Sequence, residues 1–276
     1  MCYCVNENVF QQSSSPVFID TRQAFGYFFV MIILVSNDDG IHSEGIHALE
    51  EAMQSLGQVW TVAPEQGMSA VGRALTLHRP LRATRIAERS IMVNGTPSDC
   101  VNLAVNGLLP KKPGLVVSGI NKGANMADDI PYSGTVAAAF EATIWNIPAM
   151  AVSLACRKNF DFGPAAQFAA RVAGAVLSNS LPPDTFLNVN IPDSNGREIT
   201  AYRITHQGKS IYEGKIEKRL NPRGETYYWI GGDGDRHHDI PGCDAEAVSD
   251  SYASITPIQT DHTNYKALEL LKTWPI

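Results

Sequence analysis

From Met31 onward the sequence alternates short apolar, β-rich runs with stretches of helical periodicity, and this alternation restricts the fold more than any other feature of the chain. An apolar run of about four to eight residues suits a strand buried on both faces, and strands separated by crossover helices are parallel. Met31 to Ser36 is such a run. Ser43 stands where a helix cap is needed, and Ile46, Leu49, Met53 and Leu56 follow at helical spacing until Gly57. Val59 to Ala63 reads as a second strand stopped by Pro64.

After a less regular stretch, Ile91 to Val93 predicts a third strand running into Asn94-Gly95-Thr96-Pro97-Ser98-Asp99. There Thr96 caps a helix, Pro97 takes its first position and Asp99 its third, and the helix is expected to reach Leu108. Further strands are expected at Leu115 to Val117, Ala149 to Leu154 and Phe186 to Ile191, with helices at Val136 to Trp145 and Pro164 to Leu177. The fold class this predicts is α/β, a Rossmann-like, doubly wound and mostly parallel sheet. From about Ala201 the pattern changes. Tyr202 to Thr205, Thr226 to Ile230 and Tyr252 to Ile258 read as strands, a hairpin is expected around Asn221-Pro222-Arg223-Gly224, and Tyr265 to Trp274 reads as a closing helix. The chain thus divides into residues 1–30, a core over 31–200, and a C-terminal part over 201–276 expected to pack on the core and to serve oligomerisation.

Residues 1–30 carry no Lys or Arg before Asp20, and Gln11 to Pro16 has no apolar periodicity, which predicts a loose extension with Met31 as a natural start. The apolar run from Tyr27 to Val35 lacks a basic flank and is too short to span a bilayer. No membrane segment is expected. Five cysteines without paired metal spacing suit a reducing cytoplasm. A formal charge of −6 provides no basic footprint for duplex nucleic acid. A small anionic substrate would therefore have to meet a local positive centre, which a bound metal ion supplies.

In open parallel sheets ligands bind beyond the carboxyl ends of the strands. Four such segments are unusually polar: Ser36-Asn37-Asp38-Asp39-Gly40, Pro64 to Ser69, Asn94-Gly95-Thr96, and Ser118-Gly119-Ile120-Asn121. Adjacent carboxylates at the end of a buried strand repel each other and lose hydration, a cost that a hard divalent cation removes. Oxygen donors such as Asp38, Asp39, a serine hydroxyl and an asparagine amide favour Mg²⁺ or Mn²⁺ over zinc. The pair could equally cap the next helix, where acids favour the dipole. The stretch from Ser118 to Thr135 reads as a loop opening into an Ala-rich helix, and Ser133, Gly134 and Thr135 stand where backbone N–H groups and hydroxyls bind phosphate, or where a serine simply caps the helix. Asn121 and Asn125 lie four residues apart in that loop, so that one can meet a metal and the other a phosphoryl oxygen.

These motifs, together with Asn94-Gly95-Thr96-Pro97-Ser98-Asp99-Cys100, Val117-Ser118-Gly119-Ile120-Asn121 and Tyr132-Ser133-Gly134-Thr135-Val136-Ala137-Ala138, give the chain a resemblance to the SurE family of stationary-phase survival nucleotidases, from Met31 nearly to the C-terminus. The resemblance implies a metal site at Asp38, Asp39, Ser69 and Asn121 and phosphate contacts from Asn125, Ser133 and Thr135. It also implies hydrolysis of nucleoside 5′- and 3′-monophosphates, in some members also of short polyphosphate, and assembly as homodimers or homotetramers partly through C-terminal arms. One departure is Ala70-Val71, where many members carry glycine after the serine.

With one divalent ion per subunit, Asp38, Asp39 and Asn125 become the catalytic candidates, and Asn125, Ser133, Gly134 and Thr135 the phosphate-binding ones. His42, His206, His237, His238 and His262 are available as proton donors, and none is singled out. Base recognition is expected around Arg73 to Arg85 or in the C-terminal arms. Two rivals are weighed against this reading. An aspartyl-phosphate phosphatase wants an Asp-x-Asp pattern, and Gly40 stands where the second acid belongs. A Mg²⁺-binding receiver-like signalling module wants a phospho-acceptor Asp where this chain has Asn94 and Asn121.

Overall fold

The structure is a computed structural model that describes residues 31–212, 214–231 and 236–275. The expectations for residues 1–30 lie outside the described residues. Six parallel strands form the centre of a sheet: β1 (Ile32–Ser36), β2 (Gln58–Pro64), β4 (Ser90–Val93), β5 (Leu115–Lys122), β6 (Ala149–Ala155) and β7 (Thr185–Pro192). They lie in the order β4-β2-β1-β5-β6-β7. One edge carries β3 (Ala83–Ala87), antiparallel to β4, and the other carries β11 (Ala253–Gln259), antiparallel to β7, followed by β8 (Tyr202–Ile204).

Both faces of β1 are buried, and its side chains alternate between two cores. Ile33 and Val35 pack with Ile46, Leu49 and Met53 of α1 (Glu44–Met53) and with Phe168, Ala169 and Val172 of α4 (Phe162–Asn179). Ile32 and Leu34 pack with Cys100 and Val101 of α2 (Pro97–Leu103) and with Val136, Ala139 and Phe140 of α3 (Gly134–Ile144). This period-two division explains the unbroken apolar run, because each face of the strand meets a helix layer. The fold is therefore doubly wound, as the sequence predicts. At Gly45 the two elements approach so closely that an added Cβ would lie 2.1 Å from the carbonyl oxygen of Ile120, so α1 can sit on β5 only with glycine there.

Several elements differ from expectation. The strand expected to end at Val117 continues through Ser118 to Lys122, with a register shift between Ser118 and Asn121 against β6, so Asn121 lies on a strand and not in a loop. Gly119, at φ +137°, supplies the irregularity that lets a polar sequence stay in the sheet. The helix from Pro97 gives way at Ala104 to one π-helical turn ending at Leu108. Strand β3 and the helix α5 (Asp244–Ser249) have no counterpart in the sequence reading.

The hairpin forms as β9 (Lys215–Leu220) and β10 (Thr226–Gly231), with all twelve strand residues exposed. Its turn is tied by the Asn221 carboxamide oxygen, which accepts from the N–H groups of Arg223 (2.9 Å) and Glu225 (3.0 Å). The closing helix α6 (Tyr265–Leu271) buries none of its residues. No described helix is long and apolar enough to cross a membrane.

Candidate active site

β1 leads to β2 and β4 on one side of the sheet, while β5, β6 and β7 lie on the other. The strand order therefore reverses between β1 and β5, and the crevice at the carboxyl ends of these two strands is where an open α/β sheet binds ligands. Asp38 and Asp39 leave β1 into this crevice, and Asn121 enters it from β5.

The turn that presents the acids is built from the sequence around them. The buried Asn37 donates its amide to the carbonyl of Gly40 (2.9 Å) and to the hydroxyl of Ser43 (2.7 Å), closing the turn beneath the carboxylates. Gly40 adopts φ +95°, which glycine accepts without strain. The Asp38 carbonyl accepts the Met68 N–H at 2.7 Å, which ties the loop carrying Ser69 to the acid turn.

Asp38 is 7% exposed and accepts a short hydrogen bond from the Thr135 hydroxyl. Burial pushes its carboxyl up from 3.8 to about 6; the Thr135 hydroxyl opposes this, and the Asp39 charge adds to it. No cation of the chain is among the groups that set it. The N-terminus of α3 lies directly against it. A Cβ on Gly134 would come within 2.7 Å of the Asp38 Cβ and 3.0 Å of Oδ2, so only glycine lets the helix start this close. Ser133 caps α3, its hydroxyl oxygen accepting from Val136 N–H at 3.1 Å, which leaves its own O–H free to donate.

Asp39 is half-buried, and its Oδ2 accepts the N–H of Lys122 at 3.1 Å, next to Asn121. Asn121 spends its amide N–H on the Gly123 carbonyl (2.9 Å), which leaves the carboxamide oxygen as an acceptor. Ser69 is exposed, and Ala70 after it sits at φ +55°, the conformation in which glycine is favoured. The departure at Ala70 thus places an L-residue in a left-handed turn.

Asn125 is buried, and its hydrogen bonds go to residues other than the two acids. Its amide donates to Ser153 (2.8 Å), the β6 partner of Asn121 in register, and its N–H donates to the Asn190 carboxamide oxygen (2.8 Å). Its carbonyl accepts from Asn188 (2.8 Å) and Asn190 (3.0 Å). Two residues on, the Ala127 N–H donates to the fully buried Asp244 at 2.9 Å, and Ala127 adopts φ +52°. Asn188, Asn190 and Asp244 are not among the residues the sequence motifs mark. The signal was present for two of them: Asn188-Val189-Asn190 places two amides on one face of an otherwise apolar strand.

The donor set fits a hard divalent cation. Asp38, Asp39 and Asn121 open on one crevice, the loop bearing Ser69 is tied to the first of them through Met68, and the buried hydroxyl oxygens of Ser36 and Ser118, register partners on β1 and β5, and the carboxamide oxygen of Asn37 lack hydrogen-bond partners. Among the described residues no cluster of three or more His, Cys, Asp or Glu that could hold a metal ion exists, so a cation here would have to draw on neutral oxygen donors beside the two acids.

Fold and crevice together define a doubly wound α/β protein with an acidic, all-oxygen site at its topological switch point. The family model described as Survival protein SurE matches residues 33–214, and the chain belongs to the SurE family. It is 52% identical over 247 residues to the 5′-nucleotidase SurE of Geotalea daltonii, covering 89% of this chain and all of that protein. The 5′-nucleotidase SurE of Myxococcus xanthus is 50% identical over 246 residues, covering 88% of this chain and 93% of that one. The crystal structure of the SurE protein from Aquifex aeolicus superposes with a TM-score of 0.79 at 42% identity, over 87% of this chain and 98% of that one.

Proposed function

We propose that this chain is a divalent-metal-dependent phosphomonoesterase, a nucleotidase that hydrolyses nucleoside 5′- and 3′-monophosphates to nucleoside and phosphate, with short polyphosphate as a further substrate. The observation that carries the reading is the buried Asp38 carboxylate, set beside Asp39 and against the N-terminus of α3 at the switch point of the sheet. The curated relatives over nearly the full chain are named 5′-nucleotidases.

Asp38, Asp39, Ser69 and Asn121 would hold one divalent cation per subunit, Mg²⁺ or Mn²⁺ by the hardness of the donors. When bound, such a cation withdraws charge from the phosphoryl oxygens and eases deprotonation of an attacking water. Thr135 donates to Asp38 and so fixes which carboxylate oxygen points inward. The α3 N-terminus presents the N–H groups of Gly134 and Thr135, and the Ser133 hydroxyl donates toward the equatorial phosphoryl oxygens as charge develops there. Asn125, held through Asn188, Asn190 and Ser153, keeps the crevice in register with β6. Hydrolysis forms a bond from water oxygen to phosphorus, breaks the ester bond, and leaves a proton for the departing alkoxide; one of the two acids, beside its contact with the cation, orients the water.

The exposed hairpin β9–β10, with Tyr228, Trp229 and Ile230 open to solvent, supports assembly as a homodimer or homotetramer through the 201–276 segment, with 31–200 as catalytic core. A cytoplasmic location accords with the cysteine usage. The test is phosphate release from AMP and GMP with Mn²⁺ or Mg²⁺. Release that is abolished in Asp38→Asn supports the reading, and release that survives both EDTA and that substitution overturns it.

A further inference from the structure

A groove of about 490 Å³ runs along one flank of α3 from Ser133 to Phe140. Ser133, Val136, Ala137 and Phe140 share that flank at helical spacing, so the groove starts at the end of the helix that meets Asp38 and extends about 10 Å along it. Its size is that of a small-molecule site, and its length matches a nucleoside. At its far end the guanidinium of Arg73 lies 3.5 Å from the centroid of the Phe140 ring, and the His262 ring meets the same phenyl edge-on at 5.6 Å.

Arg73 is exposed, yet the backbone on both sides of it is fixed. The Gly72 N–H donates to the Tyr132 carbonyl (3.0 Å), and the Ala74 carbonyl accepts from the Thr96 hydroxyl (2.7 Å). The guanidinium sits over the Phe140 ring, and Arg73 and Phe140 both line the groove. Two of the neighbouring arginines are engaged elsewhere: Arg79 donates to the Asn94 carbonyl (2.6 Å), and Arg85 sits over Trp60.

We infer that this groove receives the nucleoside half of the substrate, with the base stacked on the guanidinium of Arg73 while the phosphoryl group lies at Ser133 to Thr135. The inference rests on the nucleotidase reading and adds to it the location of the base and the residue that holds it. A guanidinium plane is matched by any flat heterocycle, so stacking favours bases by ring area and discriminates weakly between them. The polar groups at the rim include Gln207, whose amide N–H is spent on the Ala127 carbonyl (2.8 Å), leaving its oxygen to accept from a base edge.

The experiment compares the wild-type protein with R73A and R73K on AMP and on ribose 5-phosphate, which keeps sugar and phosphate but lacks the base. For R73A, KM for AMP is expected to rise roughly tenfold or more at little-changed kcat, the range that base stacking on one side chain supplies, while ribose 5-phosphate kinetics stay as in the wild type. R73K, which keeps the charge and loses the plane, is expected to behave like R73A. Equal losses on both substrates would mean that Arg73 only holds the Ser69 loop, and would overturn the inference. So would an unchanged KM for AMP, or a change confined to oligomeric mass, which would assign the groove to a second copy of the chain. A wild-type protein that releases phosphate from ribose 5-phosphate as well as from AMP, at equal KM, removes the base site and leaves the phosphatase standing. Release from neither removes the nucleotidase reading itself.

Discussion

Gly134→Ala tests how closely the helix and the acid depend on each other. The new Cβ would lie 2.7 Å from the Asp38 Cβ, 3.0 Å from Oδ2 and 3.2 Å from Cγ, whereas ordinary contact begins at 3.4 Å. Asp38 must therefore give by about 0.7 Å, or α3 must back away by as much, since the obstruction is the base of a buried side chain and not a flexible tip. Gly134 has no left-handed φ, so alanine suits its backbone and returns about 0.5–1 kcal/mol of chain entropy, set against about 1–3 kcal/mol for overpacking. Folding stability should fall by no more than about 2.5 kcal/mol. Turnover of the protein that remains folded should fall as well, because a displacement near 1 Å at a catalytic group costs about a hundredfold. Initial rates of phosphate release from AMP with Mn²⁺, with urea unfolding measured alongside, separate the two effects. A folded Gly134→Ala protein within about threefold of wild-type kcat/KM would refute the placement of Asp38 at the reacting centre.

Because burial holds the Asp38 carboxyl near 6 in the folded chain against 3.8 when unfolded, its charge costs nothing below about pH 4 and destabilises progressively as pH rises through 6. The gap corresponds to about 3 kcal/mol, so in EDTA Asp38→Asn should be more stable than wild type at pH 7.5 by up to that amount, and little different at pH 4; urea titrations at the two values check it. Ala70→Gly should be neutral to stabilising by about 1 kcal/mol, the relief of a left-handed alanine less the entropy of glycine, and a loss of stability in urea would contradict the φ at this turn. Asn190→Leu leaves the Asn125 N–H without its acceptor and should cost about 1–3 kcal/mol in stability, with a fall in kcat for AMP that Mn²⁺ saturation does not restore.

The layers of the fold were legible because β1 and its neighbours are buried on both faces and must read as apolar throughout. The capping box at Thr96 and Asp99, with Pro97 at the first helical position, formed as the residues dictate, because all of its partners lie within four residues. β3 was not legible: its five residues are exposed and only one edge is paired, so no hydrophobic period marks it. Asn121 reads as loop because polar residues inside a strand are expensive; in the sheet its amide is satisfied locally, by the Gly123 carbonyl. Asp244 carries no local signal, since its contacts with Ala127 and Gly208 span long separations in sequence. The acid pair could be read from sequence as either a helix cap or a cation site. In the structure Ser43 holds the cap position of α1 while Asp38 turns toward the N-terminus of α3, so the pair does not cap the helix that follows it.

Cation binding measured beside turnover tests the central claim most directly. Titration calorimetry with Mn²⁺ on the wild-type protein, Asp38→Asn and Asp39→Asn should give one site per subunit in the wild type. Either substitution should lower the affinity by roughly tenfold or more, with AMP hydrolysis lost in step, as expected when a charged ligand becomes neutral. Wild-type affinity in Asp38→Asn, or AMP hydrolysis by the wild type at an unchanged rate in EDTA, would contradict the assignment of the crevice as a metal-dependent phosphomonoesterase site.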